Sequence, residues 1–205
     1  MTIIGLCGNK GSGKDTMADN LVFTENFIKI AFADFIKSAL VELFGWDNNI
    51  FDPQNKETTD EYWGISPRKM CQELGTEFLR IHCQDFISKK FKLPNGDDYE
   101  GTFHIKRINQ DITKLLNLNS KCNIIISDIR FQDELNYVKK LGGKIIKIEN
   151  ENVQKNEYSN HISEKNLNEL KDIDYTIHNN GTINEFKKKI ALMIEYIEEV
   201  NRQDH

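Results

Sequence analysis

The sequence predicts an α/β fold, a parallel sheet flanked by helices, because five short apolar runs alternate with helix-like stretches. Such alternation favours parallel strands joined by right-handed crossovers. The third run is almost continuously apolar, which is typical of a strand covered on both faces. Ligands of these sheets bind at the carboxyl ends of the strands. The predicted strands are residues 3–7, 27–32, 123–127, 144–148 and 175–177.

The first predicted strand leads into a glycine-rich segment with the pattern G-x-x-x-x-G-K, and a helix-like run follows at residues 17–22. Glycines let successive backbone N–H groups turn inward around an anion, and the helix start adds the positive end of its dipole. The spacing therefore predicts a phosphate-binding loop whose lysine reaches the terminal phosphates. The residues expected to bind a nucleotide here are Gly8, Gly11, Ser12, Gly13, Lys14, Asp15 and Thr16.

One position departs from this pattern. Ser or Thr usually follows the lysine and binds magnesium, but this chain has Asp15 followed by Thr16. A carboxylate binds magnesium directly or through water, and Thr16 could still face the phosphates. The sequence leaves open which of the two would serve the metal.

Length and composition exclude several classes of protein. The 205 residues suffice for one domain with a sizeable core. The net charge of −5 argues against a nucleic-acid-binding surface, which normally shows a basic excess. No apolar stretch approaches the roughly 20 residues of a membrane span, no signal-peptide pattern is visible, and the four scattered cysteines do not suggest zinc. We therefore expect a cytoplasmic protein that binds neither nucleic acid nor membranes.

Four helices are marked by their ends. Ser66-Pro67-Arg68 predicts a helix start, and the α-helical period then places Cys71, Leu74, Phe78 and Ile81 on one face, opposite Arg68, Gln72, Gly75 and Thr76. A mid-helix glycine costs about 1 kcal/mol relative to alanine, so close packing is expected at Gly75. The second face is either a solvated surface or a functional one.

Asp34 is expected to cap the helix that starts at Phe35.

The last predicted helix opens with a capping box, Thr182-Ile183-Asn184-Glu185. Its apolar residues fall on one face, which would pack on a core or equally well on a partner, so a homodimer is possible. A further helix begins near Gln132 and ends at Gly142-Gly143. The apolar residues of the last helix are Phe186, Ile190, Met193, Ile194 and Ile197.

Six segments carry a resemblance to a known family. They are Ser12-Gly13-Lys14-Asp15-Thr16; the run from Phe35 to Leu40; Ser66-Pro67-Arg68 with Leu74-Gly75-Thr76-Glu77; Ser127-Asp128-Ile129-Arg130 with Glu134; His161-Ile162-Ser163-Glu164; and Asn179-Asn180-Gly181-Thr182. In order and approximate spacing they resemble the deoxynucleoside monophosphate kinases of tailed bacteriophages, from residue 3 to about residue 190.

The resemblance implies a P-loop nucleotide-kinase fold with sheet order 2-3-1-4-5. One domain would span residues 1–205, with an acceptor-binding insertion at about 46–100 and a possible lid at about 149–165. It also implies that the chain binds small-molecule nucleotides. The implied reaction is transfer of the γ-phosphoryl group of ATP, with magnesium, to a deoxynucleoside 5′-monophosphate.

The resemblance further implies roles for individual residues. Lys14, Arg68, Asp128 and Arg130 would act in catalysis, Asp128 would hold magnesium through water or contact the acceptor, and Asn179 and Gly181 would contact adenine. From the residues alone, Asp128 could instead cap the next helix. The acceptor nucleotide would be lined by Lys10, Ile36, Lys37, Arg68, Gly75, Thr76, Asp128, Arg130 and Glu134.

Two departures from the family leave details open. The possible lid contains Lys155 and no arginine, so Arg68, Arg80 or Arg130 would supply the cation of the transition state. An aromatic residue is missing near Ile87-Ser88, so the preferred base is open. The alternatives are a related P-loop kinase, similar to phosphomevalonate kinase or dephospho-coenzyme-A kinase, and a nucleotide-binding switch.

Overall fold

The computed structural model describes residues 1–84, 86, 101–152, 162 and 166–203. The chain forms two compact units, which we call the sheet unit (residues 1–30 and 120–205) and the helical unit (residues 31–119). Most of the possible lid, with Lys155, His161, Ser163 and Glu164, lies outside the described residues, as do Ile87 and Ser88.

The sheet unit contains five parallel strands in the order β2-β3-β1-β4-β5, which confirms the predicted fold class and strand order. All five predicted strands form, although β2 ends two residues earlier and β3 two residues later than predicted. The strands are β1 Ile3–Cys7, β2 Phe27–Ile30, β3 Asn123–Ile129, β4 Lys144–Glu149 and β5 Tyr175–His178.

The pairing between β1 and β3 changes register near the carboxyl end of β3. Gly5 of β1 pairs with Ile126, but Cys7 pairs with Ile129 where a regular ladder would pair it with Asp128. β3 continues past the apolar run to Ile129, so Asp128 lies inside the strand. Register shifts of this kind re-aim side chains.

Among the described residues, three helices cover the sheet: α1 Lys14–Glu25, α5 Gln132–Lys140 and α6 Ile183–Gln203. The predicted capping box is confirmed, because the Thr182 N–H donates to Glu185 at 2.7 Å and the Glu185 N–H donates to the Thr182 hydroxyl at 3.3 Å. The apolar face of α6 packs in the core of the sheet unit. Gly142 ends α5 as predicted, in the left-handed conformation.

The helical unit contains α2 Asp34–Phe44, α3 Pro67–Gln72 and α4 Phe103–Leu118. The prediction that Asp34 caps α2 is wrong. Asp34 is the first residue of the helix, and its carboxylate accepts a hydrogen bond from the preceding Ala31 N–H at 2.7 Å. The side chain therefore closes the turn before α2.

Ser66 caps α3 as predicted, accepting from the Lys69 N–H, but the predicted faces of the following helix are wrong. Phe78 and Ile81 are 52% and 47% exposed, whereas Gly75 and Thr76 are buried. The reason is that residues 73–82 form a π-helix. Its hydrogen bonds span five residues and not four, so residues that share a face follow a different spacing.

The close packing predicted at Gly75 is confirmed. A Cβ atom at this position would lie 3.0 Å from Cδ1 of Ile36 in α2 and 3.9 Å from Nε2 of His104 in α4. Gly75 thus lets the π-helix approach its neighbours in the helical unit.

Among the described residues, no helix has the length and apolar character needed to cross a membrane.

The position of α6 in the core yields a prediction with a matched control. Ile190 is fully buried and Leu192 is 66% exposed on the same helix. We expect Ile190→Ala to lower the free energy of unfolding by about 2–5 kcal/mol and Leu192→Ala by less than about 0.5 kcal/mol. Urea unfolding followed by circular dichroism measures both. Equal losses would contradict the placement of this face in the core.

Candidate functional site

The predicted phosphate loop connects β1 to α1 and is built on three glycines with positive φ: 143° at Gly8, 78° at Gly11 and 112° at Gly13. Side chains rarely adopt these conformations. Side chains are also sterically excluded at two of these positions. A Cβ at Gly8 would clash with the Ile148 carbonyl, and a Cβ at Gly13 would lie 2.6 Å from Nδ2 of Asn179. The loop backbone therefore packs directly on the ends of neighbouring elements.

Lys14 is the first residue of α1, and its ammonium turns back over the loop. Nζ donates to the carbonyl of Gly8 at 2.6 Å and to that of Asn9 at 2.8 Å. Lys10, in the same loop, is half-buried. The Ser12 hydroxyl is buried and has no hydrogen-bond partner among the residues that the structure describes. A buried hydroxyl left without a partner costs about 1–3 kcal/mol, so a phosphate oxygen in the loop fits this position.

Lys29 of β2 holds the residue that departs from the loop pattern. Its ammonium lies 3.0 Å from the Asp15 carboxylate and 2.9 Å from that of Asp19, one helical turn later. Burial acts to lower the pKa of Lys29, but the hydrogen bonds to Asp19 and Asp15 outweigh it and leave that pKa raised. Thr16 is half-buried. The sequence interpretation missed Lys29, whose signal is a charged residue in an apolar strand.

At the carboxyl end of β3, Asp128 and Arg130 are both half-buried, while Ser127 and Ile129 are buried. This alternation is typical of a strand on which Asp128 and Arg130 lie on the same side. The side chain of Glu134 is buried and accepts hydrogen bonds from the Arg130 N–H at 2.9 Å and the Phe131 N–H at 3.2 Å. Glu134 therefore caps α5 and fixes the backbone that carries Arg130.

The ends of β4 and β5 add charged groups that the sequence interpretation missed. Lys147 lies 2.7 Å from Glu149, and this hydrogen bond lowers the pKa of the Glu149 carboxyl. His178 lies 3.6 Å from the other oxygen of Glu149. A cavity of about 200 Å³ borders the phosphate loop here and is lined by Gly8, Asn9, Lys147, Ile148, Glu149, Asn150, Glu151 and Leu167.

Two residues expected to contact adenine lie in the turn between β5 and α6. The Asn179 side chain donates to the Ser12 carbonyl of the phosphate loop at 2.9 Å. Gly181 is exposed and precedes the capping box of α6.

Cys7, at the end of β1, is buried, and burial raises the pKa of its thiol to about 11 despite the nearby Lys147 and Lys14. It is therefore a neutral, unreactive thiol, as expected for a small core side chain.

In the helical unit the expected acceptor residues fall into two groups. Ile36, Gly75 and Thr76 are buried. Lys37 is half-exposed and lies 3.5 Å from Asp34, and the Arg68 side chain is 12% exposed with its Nε 3.7 Å from Glu57. The first group is therefore uncharged and closely packed, and the second group, Lys37 and Arg68, carries the charge.

The family model for deoxynucleotide monophosphate kinase matches residues 43–190, which is more than half of the chain. A protein of Acanthamoeba polyphaga mimivirus, named "Putative deoxynucleotide monophosphate kinase", is 37% identical over 204 residues, covering 98% of this chain and 100% of that protein.

Two solved structures are also similar, at 16% identity. Dephospho-CoA kinase from Campylobacter jejuni matches with a TM-score of 0.49 over 97% of this chain and 98% of its own. Shikimate kinase from Aquifex aeolicus vf5 matches with a TM-score of 0.41 over 96% of this chain and 98% of its own.

The family model and the mimivirus relative both match most of the sequence, and this chain therefore belongs to the deoxynucleotide monophosphate kinase family and is a phosphotransferase.

Proposed function

We propose that the chain transfers the γ-phosphoryl group of ATP to a deoxynucleoside 5′-monophosphate, giving ADP and the deoxynucleoside diphosphate. The phosphate loop is the observation that carries this proposal, with Lys14 turned over three left-handed glycines. A role in nucleotide supply for DNA replication follows from the products. The mimivirus relative supports a viral protein that works in the cytoplasm of its host.

Phosphoryl transfer requires little covalent chemistry from the protein. It depends on alignment of the two substrates and on cations around the phosphate oxygens. Lys14 would exchange the carbonyls of Gly8 and Asn9 for oxygens of the β- and γ-phosphates. The buried Ser12 hydroxyl would gain an acceptor in the same step. Both changes favour the loaded loop over the empty one.

Magnesium, when bound, neutralises charge on the β- and γ-phosphate oxygens. Such sites need only one or two protein oxygens, because water and the phosphates supply the others. Thr16 would provide a hydroxyl directly after the loop, since the Asp15 carboxylate is held by Lys29. Asp128, half-buried at the end of β3, would hold the ion through water.

On the acceptor side, Arg68 would bind the phosphate of the monophosphate, because a guanidinium forms two parallel hydrogen bonds to such a group. Lys37 would add a second cation. Arg130 would neutralise charge in the transition state, a role supported by the rigid backbone that Glu134 gives it. Ile36, Gly75 and Thr76 would shape the pocket through packing.

The proposal as a whole is tested by ADP release, measured with a coupled assay and a panel of deoxynucleoside 5′-monophosphates. We expect at least one of them to stimulate ADP release strongly. Lys14→Ala should lower turnover at least about 100-fold, as expected for loss of a group that stabilises developing charge. Lys188→Ala, an exposed lysine on α6, should turn over normally. Normal turnover in the folded Lys14 variant would end the kinase proposal.

Arg68→Ala tests the acceptor role. We expect KM for the monophosphate to rise at least about 10-fold while KM for ATP stays nearly constant, because a charge-assisted hydrogen bond to the acceptor is lost. Lys69→Ala removes the neighbouring exposed cation and serves as the control. Equal increases in both KM values would place Arg68 between the two substrates, and no change in either would restrict it to its ion pair with Glu57.

The metal assignment is tested by two conservative variants. Thr16→Val should raise the magnesium concentration for half-maximal rate at least about 10-fold, in the range typical of impaired metal sites. Asp15→Asn should leave it nearly unchanged, because the carboxylate is engaged by Lys29. A titration of rate against magnesium at fixed ATP measures both. The reverse order of effects would assign the metal to Asp15.

A further inference from the structure

Asn179 links the phosphate loop to the far end of the chain. Its side-chain Nδ2 donates to the Ser12 carbonyl at 2.9 Å, across 167 positions of sequence. Its own backbone N–H donates to the Glu149 carbonyl at 2.7 Å, at the end of β4. The side chain is thus held from behind by the sheet and presents its amide to the loop.

The contact at the loop is close. Gly13, which follows Ser12, has a φ of 112° and forms the N-terminal boundary of α1. A Cβ atom on Gly13 would lie 2.6 Å from Nδ2 of Asn179 and 3.1 Å from the ring of Phe186. The missing side chain of Gly13 is therefore what admits the amide of Asn179 to the Ser12 carbonyl.

The consequence follows from the geometry of one peptide group. The Ser12 carbonyl and the Gly13 N–H belong to the same planar trans peptide, so they point in opposite directions. A hydrogen bond that holds the carbonyl toward Asn179 also holds the Gly13 N–H on the opposite side. In a phosphate loop, N–H groups that all point to one side form the anion-binding cavity.

We propose that Asn179 is a positioning residue that orients the Gly13 N–H for phosphate binding by holding the Ser12 carbonyl. This role differs from the adenine contact expected from the sequence, and it rests on the proposed phosphate-loop function. Asn180, the next residue in the turn, provides the matched control. It contacts instead the chain after β4. Its side-chain Oδ1 accepts from the Glu151 N–H at 3.0 Å, and its backbone carbonyl accepts from the Asn152 side chain at 3.2 Å.

Two ligands separate positioning from base recognition: ATP, and inorganic tripolyphosphate, which has neither base nor sugar. Their dissociation constants would be measured by calorimetry with magnesium for the wild type, Asn179→Leu, Asn179→Ala and Asn180→Ala. Leu matches Asn in size without hydrogen-bonding groups or charge, and Ala covers the case in which Leu does not fold. Thermal melts identify the folded variants.

We expect both Asn179 variants to weaken ATP and tripolyphosphate by the same factor, about five- to tenfold, as for one lost orienting hydrogen bond. Asn180→Ala should bind both ligands like the wild type. Weakening of ATP alone would overturn the proposal in favour of adenine recognition. Unchanged affinity for both ligands would reduce Asn179 to a turn residue. A wild-type protein that binds neither ligand would overturn the proposed function itself, and this inference with it.

Discussion

The phosphate loop has its shape because almost no space separates it from the elements around it. At Gly8 a side chain would strike the end of β4, and at Gly13 it would strike the turn after β5 and the ring of Phe186 in α6. The strand order brings these partners together, since β4 lies beside β1 and β5 lies beside β4. Phe186 also packs in the hydrophobic core of the sheet unit. The packing that stabilises this unit therefore also fixes the loop.

The lysines of the sheet unit differ in what they bond. Lys29 and Lys147 each donate to carboxylates, whereas Lys14 donates to two carbonyl oxygens that carry no formal charge. A phosphate that displaced these two carbonyls would give the Lys14 ammonium an acceptor of opposite charge. Lys29 adds a separate effect. By holding Asp15, it offsets the negative charge that the sequence places directly after the loop lysine.

Features written in short stretches of sequence could be predicted, and features that depend on distant contacts could not. The strands, the phosphate loop and the capping box of Thr182 with Glu185 follow from local patterns. The predicted faces of residues 73–82 are wrong because the prediction assumed the period of an α-helix, whereas the segment is a π-helix. A charged residue in an apolar strand marks Lys29 as unusual, but no local pattern identifies Asp15 as its partner. Likewise, no local pattern shows that the Asn179 side chain reaches Ser12.

The motif around Gly75 shows how packing and function share one segment. Gly75 and Ile36 have little room for any other group between them, since a Cβ on Gly75 would lie 3.0 Å from Ile36. Their pairing is explained by the fit between α2 and the π-helix without any ligand. Arg68 differs, because its guanidinium carries a charge and lies 3.7 Å from the Glu57 carboxylate. In the helical unit, the proposed acceptor chemistry therefore rests on Arg68, while Gly75 and Ile36 set how closely α2 and the π-helix pack.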